Sequence, residues 1–254
     1  MSAWAVASIV FACVYGGAIL GMLLRRSLPE HHLDERSKDV VRLGMGLIAT
    51  MTALVLGLLV ASAKGAYDEQ ASGLDHIAAN LVLLDSQLAQ YGPQAQDARD
   101  ALRLTVADAV ERIWPSSEAQ ASTLAAPGAR AQGRTLYSKI QELSPENDMQ
   151  RRLQSAALQG AMELGQARWL LVAQSQSSSV PTPFLVILVF WLAILFVSFG
   201  LFAPANTTVL STLFLCAVSV AGAIFLVLEL ANPYQGLLRV SSAPLRGALA
   251  LLGQ

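Results

Sequence analysis

The chain has 254 residues, of which 54% are hydrophobic and 14% charged, with a formal net charge of −1. Soluble domains carry roughly 25% charged residues, so the composition excludes an ordinary soluble protein, and the near-zero charge offers no basic surface for nucleic acid. Two cysteines, Cys13 and Cys216, both inside apolar runs, and three histidines, His31, His32 and His76, give neither a disulfide framework nor a metal-ligand spacing, so no metal and no cofactor is expected.

Residues 3–24 form the first of four stretches without Asp, Glu, Lys or Arg; the others are 43–63, 184–202 and 207–228. At roughly 1.5 Å rise per residue each is long enough to cross a bilayer core. Nothing basic precedes the first stretch, and its apolar run is too long for a signal peptide, so it is expected to remain as an anchor. Its Gly17 and Gly21 make a GxxxG pair, a helix-packing motif. A short charged loop over 25–42 follows, with Arg25, Arg26, Arg36, Lys38 and Arg42 against Glu30, Asp34, Glu35 and Asp39; His31 and His32 within it read as a solvated pair.

The second stretch places Gly46, Thr50, Ala53, Gly57 and Ala61 at spacings of four, three, four and four, hence on one helix face. Small side chains there suit close helix packing or the wall of a narrow pore. Leu54, Leu58 and Val55 beside them are candidates for a hydrophobic gate. No proline or turn cluster interrupts the chain until Tyr91-Gly92-Pro93, and Leu74, Ile77, Leu81, Leu84, Leu88 and Tyr91 repeat at three and four. That spacing is a heptad seam, so the second membrane helix is predicted to continue as one long rod, with a seam lying between copies of the chain or within one.

Residues 64–180 read as an extramembrane helical domain. Leu102, Val106, Ala109 and Ile113 stripe one helix, which Pro115 ends; residues 115–133 read as a loop, and a short helix is expected over 136–143. Ser144-Pro145-Glu146 predicts the next helix start, as N-cap, first-turn proline and first-turn acid. Its stripe, Met149, Leu153, Ala156, Gly160, Leu164, Ala167 and Leu171, runs towards the third membrane segment. Paired acids such as Asp97 and Asp100 read as a solvated face.

Pro181 and Pro183 sit where a membrane helix begins, and residues 181–230 form a hairpin whose turn is Ala203-Pro204-Ala205-Asn206, with Asn206 an N-cap. Glu229 is the acid placed within a hydrophobic run, followed by Asn232-Pro233. A carboxylate there is costly unless it reaches the interface or is paired, so Glu229 and Asn232 stand as candidates for an ion site or gate. The tail, 231–254, is apolar on one side and carries Arg239 and Arg246; it suits the membrane surface or the helical domain. By the positive-inside rule the five basic residues of the 25–42 loop place that loop in the cytoplasm, and the helical domain outside.

Several runs are similar to a bacterial bestrophin-like family of unknown function. They are Leu56-Gly57-Leu58-Leu59-Val60-Ala61-Ser62-Ala63-Lys64, Leu84-Asp85-Ser86-Gln87-Leu88-Ala89-Gln90-Tyr91-Gly92-Pro93, Phe199-Gly200-Leu201-Phe202-Ala203-Pro204-Ala205-Asn206 and Leu228-Glu229-Leu230-Ala231-Asn232-Pro233-Tyr234-Gln235-Gly236. The resemblance implies kinship with bestrophins, pentameric anion channels with four membrane helices per subunit and a cytoplasmic helical domain between the second and third. Three features depart from it. Ala231 stands where the resemblance leads one to expect an acid; the second helix lacks the proline-flanked aromatic constriction of bestrophins; and the charge count puts the helical domain on the opposite side.

The sequence thus predicts an all-α integral membrane protein: four transmembrane helices with a helical bundle inserted between the second and third, in a bacterial inner membrane. Its expected function is a homo-oligomeric ion channel, pentameric by the resemblance. The alternative is a non-conducting scaffold or sensor acting through a protein partner. With no phosphate loop and no nucleophile beside a base, no catalytic residue and no enzyme activity are expected.

Overall fold

A computed structural model describes residues 2–27, 35–114, 127–177, 182–204, 206–234 and 236–253. Among these every regular element is helical: α1 (Ala3–Ser27), α2 (Glu35–Tyr91), a 3₁₀ turn (Pro93–Ala95), α3 (Gln96–Ile113), α4 (Pro127–Gln141), α5 (Asp148–Ser177), α6 (Thr182–Phe202), α7 (Thr207–Leu230) and α8 (Ala243–Leu251). Four helices are long and apolar enough to cross a membrane, those containing Ala3–Arg26, Asp39–Tyr91, Pro183–Phe202 and Thr207–Leu230. The His31-His32 pair, Pro115 and Pro181 lie outside the described residues.

The expected rod is present: α2 runs unbroken for 57 residues. It stops at Gly92, whose φ of 117° is open to glycine, and Pro93 follows where a helix cannot continue. Both flanks of the expected 25–42 loop are helical, because α1 reaches Ser27 and α2 begins at Glu35. Charge ends an apolar run but not a helix, since Arg, Lys and Glu are good helix formers. The expected loop over 115–133 is likewise shorter, as α4 begins at Pro127. The helix start read at Ser144 falls instead at Asp148. Asn147 is the working cap: its Oδ1 accepts the Gln150 N–H at 2.8 Å, while Gln150 Oε1 accepts from the Glu146 N–H at 2.7 Å. This reciprocal pair outcompetes Ser144 because it satisfies two donors at once.

The chain divides into two compact units, Met1–Tyr67 with Ser178–Leu238, and Asp68–Ser177 with Arg239–Gln254. In the first, Val10, Val14 and Ala18 of α1 pack on Leu188, Leu192, Leu195 and Phe196 of α6 and on Leu213, Ala217 and Ile224 of α7. Lipid removes the hydrophobic drive between membrane helices, so close packing must supply their association. Gly17, Gly21 and Gly200 allow it. A Cβ on Gly17 would lie 3.2 Å from the Ala193 carbonyl; one on Gly21 would strike the Val197 carbonyl, and one on Gly200 the Ala18 carbonyl. The GxxxG pair therefore seats α1 on α6. Phe214 of α7 meets Phe11 and Tyr15 of α1 edge-on, with ring centroids 5.5 and 5.6 Å apart. At one end Arg25 donates to the Ala203 carbonyl at 2.5 Å, a cation at the C-terminus of α6 where the helix dipole favours it. In the hairpin, Asn206 Oδ1 accepts the Val209 N–H at 2.8 Å, as its N-cap role requires.

In the second unit the heptad seam is core. Leu74, Leu84 and Leu88 are 1% exposed and Tyr91 2%, so the seam is used within one chain rather than between copies. Leu102 and Val106 of α3 and Leu171 of α5 surround the same space as Leu74 and Leu81, and Ile140 of α4 is buried in the same unit. Two glutamines of α5 finish its neighbours: Gln154 Nε2 donates to the carbonyls of Ile140 and Leu143 at 3.0 and 2.8 Å, and Gln150 Nε2 to that of Tyr91 at 3.2 Å, meeting C-terminal carbonyls that a helix leaves open. The tail belongs here: Val240, Leu245, Ala248 and Leu252 are buried. Trp114 Nε1 donates to the Val240 carbonyl at 3.0 Å, and the Gly253 N–H to Asp85 Oδ2 at 3.3 Å. Asp85 also receives Arg99 Nε at 2.9 Å and Nη2 at 2.8 Å, a two-pronged pair with side chains 9% and 13% exposed.

Two predictions follow from this packing. Gly200→Ala should destabilise the protein by about 1–3 kcal/mol through overpacking, whereas Gly16→Ala, whose Cβ meets nothing within 4 Å, should not; thermal unfolding in mild detergent compares them. Removing one partner of a buried ion pair costs about 3–5 kcal/mol, so Asp85→Asn should lower the unfolding midpoint strongly. Arg99 holds the Asp85 carboxyl below the usual carboxylate range. The pair thus stabilises fully above the unfolded value of about 3.9 and progressively less as pH falls through the lower folded value. The midpoint of the native chain should fall below about pH 4, and that of Asp85→Asn should fall less.

Candidate functional site

The membrane part of α2 has two unlike faces. Met45, Ile48, Ala49, Val55, Leu56 and Leu59 pack against the core of the first unit, and Thr52, 4% exposed, joins them with its hydroxyl donated to the Ile48 carbonyl at 2.7 Å. Val55, partly buried, thus packs on its own chain. At roughly 3.6 residues per turn, Gly46, Thr50, Ala53, Gly57 and Ala61 fall on the opposite side of the helix. All five are exposed. A Cβ on Gly46 or Gly57 meets nothing within 4 Å, and the Thr50 hydroxyl is satisfied inside its own helix by the Leu47 carbonyl at 2.8 Å. Leu54 and Leu58, beside this stripe, are 74% and 67% exposed.

The stripe is therefore smooth, without charge, and bordered by the large exposed side chains of Leu47, Leu54 and Leu58. No described residue of the same chain covers Gly46 or Gly57. Chemically it offers no general acid, base or nucleophile. Among the described residues no three of His, Cys, Asp and Glu come together in a way that could hold a metal ion.

Glu229 and Asn232 lie elsewhere, at the end of α7. Glu229 is 5% exposed, and its Oε2 accepts the N–H groups of Leu237 and Leu238 at 2.5 and 3.3 Å. The chain reaches it through Gly236, whose φ is +90° and whose missing Cβ would lie 2.7 Å from Glu229 Oε1; both the backbone and the carboxylate demand glycine there. Asn232 Nδ2 donates to the Leu228 carbonyl at 2.8 Å, closing the C-terminus of α7. The two candidate ion-site residues thus share a corner but engage backbone groups. Tyr234, just beyond the helix, has a hydroxyl buried without a partner among the described residues, and burial pushes its pKa up to about 12.

Sequence reasoning missed the Asp85–Arg99 pair. Its partners are fourteen positions apart and on different helices, so no local spacing signals it; Asp85 appeared only as a letter within a family-like run.

No curated protein and no solved structure matches the chain. The family model of the Bestrophin-like domain matches residues 12–245, nearly the whole chain, from within the first apolar helix through the other three. The chain belongs to the Bestrophin-like domain family.

Proposed function

We propose that the chain is one subunit of a homo-oligomeric ion channel in a bacterial cytoplasmic membrane, with a helical domain inserted between its second and third membrane helices. The observation that carries this reading is the two-faced α2: one face packs on its own chain through Ile48, Val55, Leu56 and Leu59, and the small stripe with Leu54 and Leu58 points away from it. Copies arranged around an axis would bring five α2 helices, by analogy with bestrophins, into a ring with the smooth stripe inward. Such a ring would have no charged or aromatic selectivity element on α2. Leu54 and Leu58 would gate it by excluding water, as hydrophobic constrictions do. The reading needs no cofactor, no nucleic acid and no chemical reaction.

A second reading, a non-conducting scaffold or sensor working through a protein partner, is favoured by one specific observation. The seam of α2 is consumed inside a single chain, so the helical domain supplies no coiled-coil neck between copies.

Native mass spectrometry from mild detergent separates the two, since a ring of five or six supports the pore and a monomer or dimer removes it. Gly57→Leu should reduce ion flux from proteoliposomes at least tenfold while leaving the mass of the assembly unchanged; loss of the assembly instead would make the stripe a packing surface. Leu58→Ser should raise resting flux, because a polar ring stays wet. Glu229→Ala should lower the unfolding midpoint in mild detergent, since the carboxylate holds the Leu237 and Leu238 N–H groups; an unchanged midpoint with altered flux would make Glu229 an ion-site residue.

A further inference from the structure

The second unit forms a half-open cavity of about 700 Å³ between α2, α3, α4, α5 and α8. Its walls are mostly aliphatic, with Leu81, Val106, Leu164 and Leu245 representative of four of these helices. The volume lies in the range of small-molecule sites, which are mostly apolar with a few placed polar groups. Here those groups have one sign. Arg112, Arg134 and Arg168 line the cavity, and among the described residues no Asp or Glu does. Arg112 is tied to Asp108; Arg134 is exposed and Arg168 half-buried, so the cationic part of the wall reaches solvent.

The wall also lacks side-chain bulk at one point of α5. Gly165 stands in the interior of α5, where glycine weakens a helix, and a Cβ there meets nothing within 4 Å. One turn earlier Ala161 lines the same space. Small residues hold open a volume that a leucine would fill.

We propose that this cavity binds an amphiphilic organic anion, with an alkyl or aryl body among the aliphatic residues and its acidic head at the arginines. Arginine suits this task because its planar fork binds carboxylate and phosphate oxygens in pairs. The site stands apart from the channel reading: it lies within the helical unit, and its occupancy is measured without ion flux.

The test uses the full chain in phosphatidylcholine nanodiscs titrated with sodium octanoate by calorimetry, with empty nanodiscs as blank and octylammonium as the opposite-charge control. Saturable octanoate binding is expected, with octylammonium at least tenfold weaker. Arg134→Gln combined with Arg168→Gln should weaken octanoate at least tenfold, and Gly165→Phe should abolish it, with helicity by circular dichroism unchanged. Should Gly165→Phe unfold, the double arginine variant carries the test. Palmitate placed in the nanodisc bilayer distinguishes the ligand's source: competition with octanoate identifies a membrane-borne acid, and absence of competition a water-borne one, each on a site already shown to bind. Equal binding of octanoate and octylammonium overturns the proposal, as does octanoate binding untouched by Gly165→Phe. Absence of saturable binding also overturns it; if Trp169→Cys, on the exposed edge of the cavity, then cross-links two copies, the cavity is a contact between chains.

Discussion

Close backbone approach between α1 and α6 is the constraint on which the membrane unit rests. In water two apolar helices are driven together by the area they bury; in lipid that drive vanishes, and contact has to come from van der Waals packing at short range. Gly17, Gly21 and Gly200 make that range accessible, since a single added carbon at Gly21 or Gly200 would meet a main-chain carbonyl. The remaining contacts, the aliphatic cluster and the Phe11–Tyr15–Phe214 rings, follow from helices already drawn close.

Glycine therefore has two meanings in one protein. On α1 and α6 it is spent inside the chain. On α2, Gly46 and Gly57 have nothing of their own chain to approach, although the same helix packs inward through Ile48, Thr52, Val55 and Leu59. The outward side of α2 thus combines a strip of small residues with the large exposed side chains of Leu47, Leu54 and Leu58. A smooth strip beside large aliphatic groups, uncovered by its own chain, gives the pore reading its weight.

How much of this was legible in the sequence depends on the reach of each interaction. The four apolar helices, the unbroken α2, its end at Gly92-Pro93 and the Asn206 cap are set by composition and by residues three or four apart, and pattern reading recovers them. The start of α5 was misplaced because Ser144 and Asn147 are both good caps, and the choice turned on Gln150, whose side chain bonds backward to Glu146 while its other end reaches Tyr91. The docking of the tail and the Asp85–Arg99 pair were hidden, since they join positions 85, 99, 114, 240 and 253 through tertiary contact alone. Periodicity correctly reported a seam on α2, but could not say which neighbours fill it; the burial of Leu84 and Leu88 within one chain decides that.

The α7 corner shows how an expensive residue can be explained without a transported ion. An acid in an apolar run invites the inference that its charge is needed for conduction, because the bilayer penalises an unsatisfied carboxylate. Here the carboxylate folds back on the chain that leaves the helix. Two N–H groups from Leu237 and Leu238 converge on one oxygen, and Gly236 supplies both the left-handed turn and the empty space that the approach requires. Asn232 meets a carbonyl of the same helix end. Ala231, where the family resemblance leads one to expect an acid, is 4% exposed beside them; a second carboxylate there would lie close to the first with no comparable set of donors. Glu229, Asn232 and Gly236 thus form a mutually dependent chain reversal, which accounts for an acid at this depth by backbone hydrogen bonding alone.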